Sequence, residues 1–462
     1  MTNHFRLAVI AVSFIGLFAS CKKTDTPAPA TPTPVAAPTP VSANVIKDSV
    51  VTITRDLYLW YNQIPVSFNA QTYADPAAIM TAIQPYSTEP GFSKPVDRWS
   101  FGMKKTDWDN LSGGMSSASG ATNAAGDFGL TVFFKAEGDL RVRLVERASP
   151  AGAAGIERSW RITKINNNTD ITTGNATFIV DAVYNSASST FTFIKPDGST
   201  VDITLSAAHY KTQPVYLDSI YTINNKKIGY LVFNSFIGDT TQINSDFQRV
   251  FNKFSAANIS DLVVDLRYNG GGYVSVQEAL ADYISPQSVN GSLMFKENYN
   301  DKNSQYNQST YFHKKGALNM NRVYFIVTKN TASASELLIN NLTPVMDVKL
   351  IGPSTTHGKP VGFFPVPVGD WYVFPVSFRS TNKNGTGNYF NGIPVTNSVA
   401  DGLDKNWGDI LESSLASALK HITTGTFVRE GGMISQDPMI ISGNNKLSEN
   451  EFNGMISGTK RK

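Results

Sequence analysis

The sequence predicts a multidomain α+β chain built around an α/β core. Three observations predict it. Between 213 and 423, apolar strand-like runs alternate with helical segments and turns of small residues, the pattern of a layered α/β domain. Between 112 and 212, short strands are separated by Pro, Asp and Gly turn signals, the pattern of a β-rich domain. Between 45 and 111, apolar residues recur at helical spacing, the pattern of a small helical N-terminal domain.

The chain opens with Arg6, an apolar run over 7–18, and Ala19-Ser20-Cys21. A basic start, an apolar centre too short to span a bilayer and small residues before a cleavage point make 1–20 a signal peptide. Cys21 is the one cysteine in 462 residues, so no disulfide is available and the exported part is held by its core alone. Residues 21–44 are rich in Thr, Pro and Ala and are expected to form an extended tether. Forty Lys and Arg against 37 Asp and Glu leave a net charge of +3. The basic residues are spread along the chain, which excludes a nucleic-acid footprint.

In the helical region, Val50, Ile53, Leu57, Leu59, Trp60 and Tyr61 share a helical pattern, and a second helix is expected over 76–83. The Gly/Ser/Ala stretch 112–126 reads as a flexible loop. Strands follow near 161–166, 191–194 and 201–205, the last two as a hairpin around Pro196-Asp197-Gly198, with a helix over 178–184.

The core domain starts with a buried-strand run at 228–236 and a helix near 241–254. A strand over 261–267 then runs into Tyr268-Asn269-Gly270-Gly271-Gly272, where glycines let backbone amides approach a ligand closely. The run 323–327, the turn Thr331-Ala332-Ser333-Ala334-Ser335 and the helix-like stretch 336–342 read as strand, tight turn and helix. A serine at such a turn is exposed, and amides at the helix start face a developing negative charge. After a strand at 348–352 comes His357-Gly358-Lys359-Pro360, followed by Val361, Phe363 and Phe364. A lysine in an apolar wall loses its proton more readily, which makes Lys359 a usable base for Ser333. His357 stands as the alternative base, because Ser–His pairs are the commoner hydrolase solution. A strand over 371–378 and a helix over 411–422 complete the core, and 424–462 is expected to be a partly ordered tail.

The motif Thr331-Ala332-Ser333-Ala334-Ser335-Glu336, with Gly358-Lys359 downstream, resembles the carboxyl-terminal processing peptidases of family S41, which use a Ser–Lys dyad. The resemblance covers roughly 95–420 and implies a ClpP/crotonase-like α/β core. It implies Ser333 as nucleophile and Lys359 as base. The Ser–Lys spacing of 26 is one residue longer than in the family, a difference that a loop at 353–356 absorbs. It further implies an oxyanion hole from the amides of Gly271 or Gly272 and of Ala334. Asp265, Arg267 and Glu336 become supports of the site, with Arg267 pairing to Glu336. Where many members carry a glutamine four residues after the lysine, this chain has Phe363. Asp97-Arg98-Trp99-Ser100 resembles the segment that precedes the family's PDZ domain. Phe128-Gly129-Leu130-Thr131 resembles a PDZ carboxylate-binding loop and strand, which implies capture of protein tails by strand addition. Cys21 sits where a bacterial lipoprotein signal places its lipidated cysteine, which implies a membrane-anchored exported protein of a Gram-negative-type envelope.

The expected activity is a serine endopeptidase acting on exported proteins or peptides, without metal or cofactor, since the histidines form no ligand-spaced cluster. The alternative is a tail-binding lipoprotein with a PDZ-like groove and a vestigial peptidase domain. Ester hydrolysis is a third chemistry open to the same dyad.

Overall fold

The computed structural model describes residues 42–116, 125–427, 441–448 and 451–458. Cys21, the signal segment and 117–124 of the expected loop lie outside the described residues. Residues from Ser42 onward form one compact unit. Among the described residues no helix is long and apolar enough to cross a membrane.

The centre is a six-stranded mixed sheet in the order Asn397–Ser398, Asp347–Gly352, Arg322–Ile326, Asp261–Asp265, Lys226–Phe233 and Val215–Ile223. All neighbours are parallel except the last pair. Its central strands are apolar on both faces because helices cover both. One face packs on helices Thr240–Ala257, Val274–Ile284 and Ala334–Leu342. The other packs on helix Ser413–Thr424 through Leu415, Leu419 and Ile422. Strand Val215–Ile223 carries no clean alternation and is absent from the sequence reading; it is an edge strand, half-buried along most of its length.

The first helix, Ala43–Leu57, starts inside the expected tether, because the Ser42 side chain caps it by accepting from the Val45 amide. Helix Pro76–Ile83 has the predicted limits, set by Asp75 as cap and Pro76 at its first position. Strand Phe101–Lys104 adds antiparallel to Trp371–Phe374, so this region shares a core with Val361, Phe363 and Phe374. The expected strand at 371–378 is broken at Pro375: Trp371–Phe374 and Phe378–Asn382 belong to different sheets.

Residues 130–206 form a five-stranded antiparallel sheet in sequence order, with Leu130–Ala136 at one edge. The expected helix at 178–184 is a short helix, Ala176–Val180, continued by a wider π-turn over Asp181–Asn185.

Within the stretch expected as a partly ordered tail, the described residues include pieces built into the cores. Ser442–Leu447 is a helix and Gly454–Ile456 a strand, with Leu447, Met455 and Ile456 buried in three different core clusters. Composition masked this, since the buried side chains are few among many polar ones.

Candidate active site

Strand Arg322–Ile326 leads through a turn into helix Ala334–Leu342, and Ser333 is the residue before the helix. Its backbone has φ 61° and ψ −110°, a left-handed conformation unusual for a residue with a Cβ. Strain of this kind fixes the side chain of an elbow residue in one direction. Ser333 is fully buried, and its hydroxyl has no hydrogen-bond partner among the described residues.

Glu336 ties the serine turn to the lysine loop. One carboxylate oxygen accepts from the Ser333 amide at 2.9 Å and the Lys359 amide at 2.8 Å. The other accepts from the Gly358 amide at 2.6 Å and from the Thr356 hydroxyl. Burial holds the Glu336 carboxyl above its ordinary value, and these four donors offset only part of that rise.

Lys359 is fully buried, and burial holds its amine well below the ordinary lysine value, with Asp97 and Glu336 opposing. Its Nζ lies 3.8 Å from the centre of the Phe363 ring and 5.7 Å from that of Trp99. It donates to the Asn453 carbonyl at 2.9 Å. Phe363 therefore offers a π face where a glutamine would offer an amide. Asp97 stands behind this wall: Tyr58 donates to it at 2.8 Å, and it accepts from the amides of Trp99 and Ser100. The sequence marked its segment only by resemblance.

His357 faces elsewhere. Its Nε2 accepts from Trp99 Nε1 at 2.9 Å and its Nδ1 meets the Lys329 carbonyl at 3.2 Å. Burial, then the Arg98 charge, lowers its pKa to about 4. Both ring nitrogens are engaged, so the ring is a neutral prop for Trp99.

The glycine loop lies against the serine. A Cβ on Gly271 would fall 2.9 Å from both the Ala334 amide nitrogen and Ser333 Cβ, so only glycine allows this approach. The Gly271 amide itself donates to the Asn269 side chain at 3.0 Å. Gly272 lies one residue on, in a parallel ladder with Gly454–Ile456.

The expected Arg267–Glu336 pair does not form. Arg267 is buried between Asp265, Asp401 and Glu412, with contacts from 2.7 to 3.2 Å. Arg158 joins through Asp401 at 2.6 Å. Asp265 also accepts from Tyr230 at 2.8 Å. Burial alone would raise Asp401, but Arg158 and Arg267 outweigh it and hold it down to about 2. This cluster locks the loop after strand Asp261–Asp265 to helix Ser413–Thr424, beside the site and not in it.

Phe128 and Leu130 are buried in the core of the five-stranded domain. The Gly129 amide donates to Asp127 at 2.7 Å, so it is already occupied where a tail carboxylate was expected. Thr131 lines a cleft of about 810 Å³ that runs past Gly270, Gly271, Trp99 and Phe452.

Residues 227–396 match the model of peptidase family S41. Over 192 residues the chain is 28% identical to the carboxy-terminal processing protease CtpB of Bacillus subtilis (strain 168), covering 40% of this chain and 38% of that protein. The match thus spans well under half the length of that curated relative. Among solved structures, an S41 protease from Bacteroides fragilis NCTC 9343 superposes with a TM-score of 0.65 at 24% identity, over 82% of this chain and 97% of that one. That likeness shows a shared fold.

Proposed function

Since residues 227–396 form a domain of peptidase family S41, we propose that the chain is a serine endopeptidase with Ser333 as nucleophile and Lys359 as base. The observation that carries this reading is the double grip of Glu336 on the two amides, which sets a strained serine and a buried lysine in one rigid frame. Burial favours the proton-accepting role, because it holds the Lys359 amine well below its ordinary value and so weakens its hold on a proton.

Ser333 Oγ attacks a peptide carbonyl while Lys359 takes its proton. The amides of Gly272 and Ala334 receive the developing oxyanion, each worth about 3 kcal/mol in such a site. Lys359 then delivers the proton to the leaving amine, and water resolves the acyl-enzyme. Glu336 keeps both partners placed.

The relative's printed name, a carboxy-terminal processing protease, supports protein substrates. The five-stranded domain is read as PDZ-like, with its peptide groove between edge strand Leu130–Ala136 and helix Ala176–Val180. The pattern ending in Cys21 supports an exported, lipid-anchored protein acting on exported substrates.

The test is cleavage of an unfolded protein by the chain from Ser42 onward and by Ser333→Ala, Lys359→Ala and His357→Ala. Loss in the first two with survival of the third is the expected result. Loss in His357→Ala with survival of Lys359→Ala would give the base role to the histidine. A parent that binds tail peptides without cutting them would favour the binding-protein alternative.

A further inference from the structure

The glycine loop beside Ser333 is paired with another part of the same chain. Glu451 pairs with the buried Arg143 of the five-stranded domain, and its second oxygen accepts from Asn330 at 2.8 Å. Next, the Phe452 carbonyl oxygen sits only 1.9 Å from where a Cβ on Gly270 would stand. The Asn453 carbonyl takes the hydrogen bond of Lys359 Nζ. Gly454 donates to the Gly270 carbonyl at 3.0 Å, and residues 454–456 add as a parallel strand to Gly271–Tyr273. In that register the Gly272 amide meets the Gly454 carbonyl, whose oxygen lies 2.3 Å from a Cβ placed on Gly271. On the opposite side, Phe363 donates to Met455 at 2.9 Å and accepts from Ser457 at 3.1 Å.

The same segment also holds the five-stranded domain. The Asn444 carboxamide pairs with both the amide and the carbonyl of Phe134, at 2.7 and 2.8 Å, as a strand neighbour would on that free edge. Lys446 reaches Thr177 on the facing helix at 2.8 Å, and Leu447 enters the domain's core.

We infer that the cleft between Gly270–Tyr273 and Phe363 is an acceptor site for an extended peptide, and that residues 451–458 are its resident occupant, a strap that substrate must displace. The inference rests on the peptidase reading for its consequence, and on hydrogen bonds independent of it for its geometry. Main-chain pairing on both sides makes the site tolerant of sequence, as strand addition is. With the strap in place the lysine's hydrogen bond goes to the Asn453 carbonyl, and among the described residues the serine hydroxyl has no partner.

Two experiments test this. In the first, Asn444→Ala combined with Glu451→Lys removes both anchors without touching the dyad or the glycine loop. Cleavage of an unfolded protein is expected to rise about tenfold, a modest population shift. A synthetic peptide of residues 441–458 is expected to inhibit the double variant competitively. Parental rates in a folded double variant, or no inhibition by the peptide, would overturn the inference, as would cleavage of the chain within 451–458, which would make the segment a substrate. In the second, amide exchange on the intact parent is expected to be at least about a hundredfold faster at Gly454 and Ile456 than in strand Lys226–Phe233, because the strap opens separately. Equal protection would make the segment a permanent strand and overturn the inference, even if the double variant does not fold. If parent and double variant both fail to cut while the strap exchanges fast, the peptidase reading fails and the strap stands.

Discussion

Glu336 Oε2 accepts the amides of both Ser333 and Lys359, at 2.9 and 2.8 Å, so one buried oxygen fixes the positions of two residues 26 apart. Glu336→Gln turns part of this acceptor into a donor facing backbone donors. Stability should fall by about 1–3 kcal/mol, the cost of leaving buried donors unpaired. Cleavage should fall further than the folded fraction does. Thermal unfolding measured beside kcat on the same samples separates the two effects.

Lys359 gives a prediction of opposite sign for stability and activity. Its folded value lies well below its unfolded one because of burial. Between those two values the unfolded chain binds more protons, so stability rises with pH through that window. Lys359→Met removes this slope and should raise the Tm at neutral pH, while cleavage falls about 10²–10⁴-fold for loss of a general base. Tm measured from pH 6 to pH 9 checks the first part. A variant less stable than the parent at pH 6 would contradict the account of a lysine whose amine burial holds well below its ordinary value.

Asp401 makes the acid limb of the stability curve. Its folded value of about 2 lies below that of an ordinary aspartate because Arg158 and Arg267 outweigh burial. Its contribution is therefore complete above the unfolded value and is lost as pH falls toward 2. Asp401→Asn should cost about 3–5 kcal/mol at neutral pH, since it leaves buried guanidinium groups underpaired. Its urea midpoint should also depend less on pH between 4 and 2 than the parent's does.

Phe363 is expected to act on the lysine through its ring face. Phe363→Leu keeps apolar volume and removes the π face 3.8 Å from Nζ. The ring favours the ammonium form, so its loss should move the rising limb of the pH–rate profile to lower pH. At an exposed site such a contact is worth about 0.5–1 kcal/mol, and more when desolvated. A limb displaced to higher pH would contradict this assignment.

The parts legible in the sequence were those set by local chemistry. The strand, turn and helix around Ser333 and the cap and proline that start Pro76–Ile83 are written in adjacent residues. Arg267 was legible as a buried support but not in its partners, because Asp401 and Glu412 lie 134 and 145 positions away. Nothing in the spacing of charges distinguishes these from Glu336. The strap was missed for a related reason. Its strand is three residues long and pairs with a glycine loop, so neither periodicity nor propensity marks it. Phe452 amid Asn, Glu and Gly was its one visible sign.

The bond from Trp99 to His357 joins positions 258 apart, and strand Phe101–Lys104 completes its sheet only with Trp371–Phe374. The wall that buries Lys359 therefore cannot exist while the ribosome is still making the middle of the chain. At about 5–20 residues per second, the interval between synthesis of Trp99 and of His357 lasts roughly ten seconds or more. Throughout it Lys359 is not yet made, and once made it remains an ordinary solvated ammonium ion until that wall closes around it.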